Sequence, residues 1–146
     1  GRGLLLAGDG NQVLGNYIGV DVNGTADRGN SSDNVLISGD NNILGGSATG
    51  EGNIVSTSAM GDGIEIQGDG NTVQGNLIGL DKNGSGDLGN AGYGVYINGG
   101  DNNTIGGTVS GEGNTIAHNQ AGVYVTGGTG NRILSCFHFD NGDGGY

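Results

Sequence analysis

Two stretches of the 146-residue chain carry oxygen ligands at close spacing, Asp21-x-Asn23-Gly24-x-x-Asp27 and Asp81-x-Asn83-Gly84-x-x-Asp87. Calcium takes about six to eight hard oxygens, which carboxylates, side-chain amides and carbonyls can supply. The spacing lacks the terminal bidentate Glu of an EF-hand and the short period of calcium-binding β-rolls. Asp, Asn and Gly also make tight turns without any cation. Two readings follow for Asp21, Asn23, Asp27, Asp81, Asn83 and Asp87: a pair of calcium sites, or a pair of plain turns. Calcium is the one cofactor these residues suggest.

The remaining chemistry-bearing residues form no reactive set. Two carboxylates across a groove would serve a glycosidase. Glu51 and Glu112, however, occupy equivalent loops, Gly-Gly-Ser-Ala-Thr-Gly-Glu-Gly and Gly-Gly-Thr-Val-Ser-Gly-Glu-Gly. A catalytic pair belongs to one unique place, so repetition argues against that role. The basic residues Arg2, Arg28, Lys82 and Arg132 build no cluster that could hold a uronate against a base. His118 and His138 lack a Cys/His ligand set for zinc, and Cys136 lacks a positioned base. No catalytic residue is assigned.

The elements that position these groups are repeats. Gly8 to Asn30 (GDGNQVLGNYIGVDVNGTADRGN) returns sixty positions later as Gly68 to Asn90 (GDGNTVQGNLIGLDKNGSGDLGN). Apolar alternation divides that unit into two coils. Leu4-Leu5-Leu6, Val35-Leu36-Ile37, Ile64-Glu65-Ile66, Val95-Tyr96-Ile97 and Val123-Tyr124-Val125 begin 31, 29, 31 and 28 residues apart. A second strand family follows Asn11, Asn42, Asn71, Asn103 and Asn131, and a third follows Asn16, Asn53, Asn76 and Asn114. Three short strands per coil, bounded by Gly and Asn, predict a β-solenoid. Each coil is too flat to bury a core alone. Stacking at about 4.8 Å pairs every strand with its copies and lines the asparagines into two hydrogen-bonded ladders.

The predicted fold is all-β: a right-handed parallel β-helix of about five coils of ~30 residues, its hand set by the crossover rule. Residues 1–146 are expected to form one domain, possessing an atypical last coil at 135–146. The coils bulge alternately, at Asp21–Asp33 and Asp81–Gly92 in odd coils and at Gly45–Gly52 and Gly106–Gly113 in even ones. Equivalent bulges, two coils apart, are expected about 10 Å from one another.

Composition excludes several functions. Thirty-seven glycines and no proline, lacking a three-residue period, fit neither collagen nor a Pro-rich linker. A net charge of −11 disfavours nucleic acid, which needs basic side chains, and disfavours polyanionic glycans unless a cation bridges. No apolar run is long enough for a membrane span. One cysteine allows no intrachain disulfide. The opening Gly1-Arg2-Gly3, without Met or a signal-length apolar run, reads as a mature product or a piece of something longer.

Gly94-Val95-Tyr96-Ile97, Asp101-Asn102-Asn103-Thr104-Ile105-Gly106-Gly107 and Glu112-Gly113-Asn114-Thr115-Ile116 resemble the right-handed parallel β-helix repeats of bacterial secreted and surface proteins, the pectate lyase-like group. The resemblance covers nearly the whole chain and implies an extracellular or cell-surface setting. It spans lyases, hydrolases, tailspikes and adhesins, so it implies no single reaction. The aspartate-rich motifs of polygalacturonases are absent.

The outward row of the first sheet, Leu5, Leu36, Glu65, Tyr96 and Tyr124, offers aromatics that could stack on sugar rings or meet a surface protein. Ordinary strand propensity also accounts for tyrosine there. In the last coil, Ser135-Cys136-Phe137-His138-Phe139 replaces Gly75-Asn76-Leu77-Ile78-Gly79. Either the aromatics cap the open coil or the solenoid continues, and open edges would favour end-to-end or side-by-side self-association. The expected function is a non-catalytic extracellular scaffold or binding segment. A polysaccharide-active lyase or hydrolase and a calcium-binding structural module are the alternatives.

Overall fold

The computed structural model describes residues 1–142. The described chain is all-β and winds as a parallel β-solenoid of five coils, each crossing three sheets. Sheet 1 stacks β1 (Leu4–Leu6), β4 (Val35–Ile37), β7 (Ile64–Ile66), β10 (Val95–Asn98) and β13 (Val123–Thr126). Sheet 2 stacks β2 (Gln12–Val13), β5 (Ile43–Leu44), β8 (Thr72–Val73), β11 (Thr104–Gly106) and β14 (Arg132–Leu134). Sheet 3 stacks β3 (Tyr17–Ile18), β6 (Ile54–Val55), β9 (Leu77–Ile78), β12 (Thr115–Ala117) and β15 (Phe137–Phe139). No helix among the described residues is long and apolar enough to cross a membrane.

The core is a column of one or two inward residues per strand. Val35, Ile37, Leu44, Val55, Ile64, Ile66, Val73, Ile78, Val95, Ile97, Ile105 and Ile116 are all fully buried. Each contributes about 1.5–3 kcal/mol by leaving water. The corner between sheets 1 and 2 is left-handed in every coil. Gly10, Asn41, Gly70, Asn102 and Gly130 have φ of 67°, 56°, 66°, 55° and 71°. Glycine and asparagine are the residues that reach this region at low cost, which is why the corners alternate between them.

Both expected ladders form. In the first, the Asn11 amide N–H donates to Asn42 Oδ1 at 2.8 Å, Asn42 to Asn71 at 2.8 Å, Asn71 to Asn103 at 2.8 Å and Asn103 to Asn131 at 2.9 Å. The second runs Asn16, Asn53, Asn76, Asn114, and Cys136 takes the fifth place, where its Sγ accepts from Asn114 Nδ2 at 3.7 Å. A third stack, not anticipated from spacing, runs through Asn90, Asn119 and Asn141 at the corner after sheet 3. In coil 2 this place falls to Ser58, whose side chain is too short to span, and Asn34 reaches in to donate to Asn90 Oδ1 at 2.9 Å.

One expectation is corrected. The odd-coil bulges do not stand about 10 Å apart: Lys82 N donates to Gly24 O at 2.9 Å. Coil 2 carries no bulge there, so its neighbours lean together over it. The even loops also meet, Gly111 packing on Ser47. In the last coil the phenylalanines and the histidine fall on opposite sides of the strand. Phe137 and Phe139 pair with Thr115 and Ala117 on the outward side, and Phe137 is 70% exposed. The inward residue is His138, whose buried Nδ1 has no hydrogen-bond partner among the described residues. Whether 143–146 add a strand lies outside the described residues.

Candidate functional site

Sheet 1 places Leu5, Leu36, Glu65, Tyr96 and Tyr124 in one line, each in register with the next. The line divides in two. At the leucine end, Leu36 is only 8% exposed, which leaves it little surface for a ligand. At the other end the tyrosines cluster. Tyr93, from the turn before β10, stacks on Tyr124 with ring centres 4.4 Å apart and an interplanar angle of 28°. It meets Tyr96 edge-on at 5.5 Å, and Tyr96 lies 5.7 Å from Tyr124. The Tyr96 hydroxyl and Thr126 Oγ1 share a hydrogen bond of 2.8 Å. Backbone geometry fixes Tyr93 as well, because its amide N–H donates to Asp62 Oδ1 at 2.7 Å.

A polar strip flanks the rings. Glu65 Oε1 accepts from Gln67 Nε2 and from Asn98 Nδ2, both at 2.9 Å. Gln67, Asn98 and Thr126 each lie two residues beyond the central row and so share its face. Asp62 completes the patch. Burial, opposed by the Tyr93 N–H and reinforced by the Asp33 and Glu65 charges, pushes its carboxyl up to about 6. Asp33 itself is paired to Arg2, with Nε to Oδ2 at 3.2 Å. Aromatic faces beside amide, hydroxyl and carboxylate groups can stack on a sugar ring and bond its hydroxyls.

The sequence singled out Glu65, Tyr96 and Tyr124 but not Tyr93, Asp62, Gln67, Asn98 or Thr126. Following the two-residue alternation past each apolar triplet finds Gln67, Asn98 and Thr126. Nothing periodic marks Tyr93.

The acidic turns are closed on themselves. Asp21 Oδ1 accepts from the Thr25 and Ala26 amides at 2.8 and 3.0 Å, and Oδ2 from Asn23 Nδ2 at 3.3 Å. Asp81 does the same for Ser85, Gly86 and Asn83. These backbone donors hold both carboxyls below the usual carboxylate range. Asp27 and Asp87 turn instead to the Gly29 and Gly89 amides. Among the described residues no group of three or more His, Cys, Asp or Glu could hold a metal ion. Glu51 and Glu112 likewise close their own loops, accepting from the Ala48 and Val109 amides.

Sheet 3 supplies a feature absent from the sequence reading, a cleft of about 460 Å3. Its floor is Tyr17, Ile54 and Leu77, one wall is the loop Gly46–Gly50, and Lys82 stands opposite. A Cβ at Gly24 would sit 3.0 Å from Tyr17 Cε2 and 3.2 Å from Ile54 Cδ1. The odd-coil loop therefore lies directly on the floor, and Ile54 is 4% exposed.

No known protein family matches the chain, and neither does any characterised protein or solved structure.

Proposed function

We propose that the chain is a non-catalytic extracellular β-helix segment whose sheet 1 face binds glycan, with Tyr93, Tyr96 and Tyr124 as the stacking platform. The single observation behind this reading is the cluster of three rings on a flat, rigid sheet, bordered by Gln67, Asn98, Thr126 and Glu65. A rigid platform loses little conformational entropy on binding. The ligand is a neutral glycan, because Glu65, Asp62 and the net charge of −11 repel uronates. The resemblance of the repeats to bacterial secreted and surface β-helices supports the extracellular setting and a pectate lyase-like ancestry.

One observation favours the enzyme alternative. A carboxyl raised to about 6 beside a sugar platform has the acidity a general acid needs. Asp62 Oδ1, however, is engaged by the Tyr93 amide. The two readings separate in one experiment. Cellohexaose, mannohexaose, pectate, polygalacturonate and alginate are offered to the chain, the last three with and without calcium. Saturable binding of a neutral hexasaccharide with no release of reducing ends or unsaturated products supports the scaffold. Turnover of any substrate overturns it.

A further inference from the structure

On sheet 1 the hydrogen bonds between outward side chains run diagonally. A residue of the central row joins the next coil's side chain two positions further along, Glu65 to Asn98 at 2.9 Å and Tyr96 to Thr126 at 2.8 Å. Gln67, on the same coil as Glu65, donates to the same Oε1 at 2.9 Å. Two amides from two coils thus grip one carboxylate oxygen. A carboxylate only accepts, so Gln67 and Asn98 must both turn their NH2 groups toward Glu65. Their carbonyl oxygens are left for another partner.

What remains is a set of acceptors. Glu65 Oε2, Gln67 Oε1 and Asn98 Oδ1 accept no hydrogen bond from any described residue. Gln67 and Asn98 are exposed and Glu65 is half-buried, all three on coils 3 and 4 with described coils on both sides. Arg2 pairs with Asp33 and His118 with Asp87, and Glu65 has no ion-pair partner among the described residues. Its charge is met only by two neutral amides. A hydroxyl that donates to such a carboxylate makes a bond about twice as strong as a neutral one. Glu65 also stands where the closed leucine end gives way to the rings, with Leu36 before it and Tyr96 after it in register. A sugar ring laid on the tyrosines brings the hydroxyls of its edge to this strip.

We infer that Glu65 sets the specificity of the sheet 1 face. Its free Oε2, flanked by Gln67 Oε1 and Asn98 Oδ1, accepts from neighbouring free hydroxyls of a hexose. The face therefore selects unsubstituted neutral glycans and rejects the same chains once their hydroxyls are O-methylated or O-acetylated. This rests on the reading of sheet 1 as a glycan platform. An ether or ester oxygen brings no proton, so Oε2 would lose its water and gain no partner. A uronate brings a second negative charge to the same place. Stacking on the tyrosines supplies affinity for any sugar face, and Glu65 decides which edges are accepted.

Calorimetry of the full chain with cellohexaose, mannohexaose and the per-O-methylated form of each tests the inference, on the parent and on Glu65→Gln, which keeps the shape and removes the charge. The parent is expected to bind a free hexasaccharide about 10- to 100-fold more tightly than its methylated form. In Glu65→Gln that preference is expected to shrink about tenfold, through weaker binding of the free sugar alone. The bulk of the methyl groups is the same for both chains and cancels in the comparison. Equal binding of free and methylated sugar by the parent, or a preference that Glu65→Gln leaves unchanged, overturns the role of Glu65 and leaves the platform standing. A loss of affinity shared by both forms has the same meaning, since Glu65 would then only brace its neighbours. Failure of the parent to bind either free sugar overturns the platform and the inference together. If Glu65→Gln does not give the β-rich circular dichroism of the parent, Glu65→Thr, a strand former, makes the same comparison.

Discussion

Tyr17, Ile54, Leu77, Thr115 and Phe137 stand on sheet 3 as Leu5, Leu36, Glu65, Tyr96 and Tyr124 stand on sheet 1, one outward residue per coil in continuous register. Both rows mix aromatic with aliphatic side chains. They differ in what surrounds them. The bulges of even coils enter just before sheet 3 and those of odd coils just after it, so sheet 3 becomes the floor of a cleft and Ile54 is covered. Between sheets 1 and 2 the corners are short in every coil, and the tyrosines sit on an open plane. A row's residue types do not decide what it can bind. The placement of the extra residues in each coil decides it, because stacking otherwise makes the faces equivalent.

The following changes test that comparison, from the largest expected effect to the smallest. Both faces depend on one scaffold, so damage to it reaches both. Asn71→Ala removes an acceptor shared by the Asn42 amide and Asn42 Nδ2 and frees Gly39 O inside the solenoid. The expected loss is about 3 kcal/mol in chemical denaturation, because buried partners are left unpaired.

Tyr124→Ala breaks the sheet 1 platform alone. Affinity for a neutral hexasaccharide is expected to fall at least tenfold, about 1.4 kcal/mol by calorimetry. Phe137→Ala, on the sheet 3 row, is expected to leave that affinity unchanged.

Cys136→Asn supplies the missing member of the second ladder and gives the Asn114 amide an acceptor. A stability gain of about 1 kcal/mol is expected in the denaturation midpoint. A loss would show that the cysteine slot is shaped for sulfur.

Two titrations give smaller effects of opposite sign. Asp62 has a folded pKa of about 6, raised above its ordinary value. Between the two values the folded chain binds more protons than the unfolded chain, so stability falls as pH rises through about 6. Asp62→Asn keeps an acceptor for the Tyr93 amide and is expected to raise Tm at pH 7.5 but not at pH 4. Burial lowers the pKa of His138 below 6.5. The unfolded chain then takes up its proton first as pH falls through about 6.5, and stability is lost on acidification. His138→Leu is expected to remove that acid sensitivity, as read from Tm between pH 7.5 and pH 5.

The acidic turns give the smallest change. Adding calcium is expected to leave Tm unmoved, because the Asp21 and Asp81 carboxylates are already satisfied by their own turns. A calcium-dependent rise in Tm would show that they are a cation site.

Much of the fold was legible because stacking forces like residues into columns. The apolar triplets marked sheet 1, and the asparagines before each later strand marked two ladders. The third stack was hidden by insertion. Asn30 and Asn90 follow the odd bulges, whereas Asn119 and Asn141 follow their strands almost at once, so distance from the strand does not align them. The platform was half legible. Tyr96 and Tyr124 lie on the period of the sheet, but Tyr93 joins them from a turn held by Asp62. The cleft was not legible at all, because it arises where the odd-coil bulges lean together over coil 2, which has no bulge after sheet 3, beside that coil's own loop Gly46–Gly50.

The most direct test is isothermal calorimetry of cellohexaose and mannohexaose with the parent chain, Tyr124→Ala and Phe137→Ala, each confirmed as folded. Saturable heat for at least one sugar, retained by Phe137→Ala and weakened at least tenfold by Tyr124→Ala, is the predicted result. Absence of binding by the parent, or binding that Tyr124→Ala leaves intact, would contradict the assignment of the sheet 1 tyrosines as the glycan-binding face.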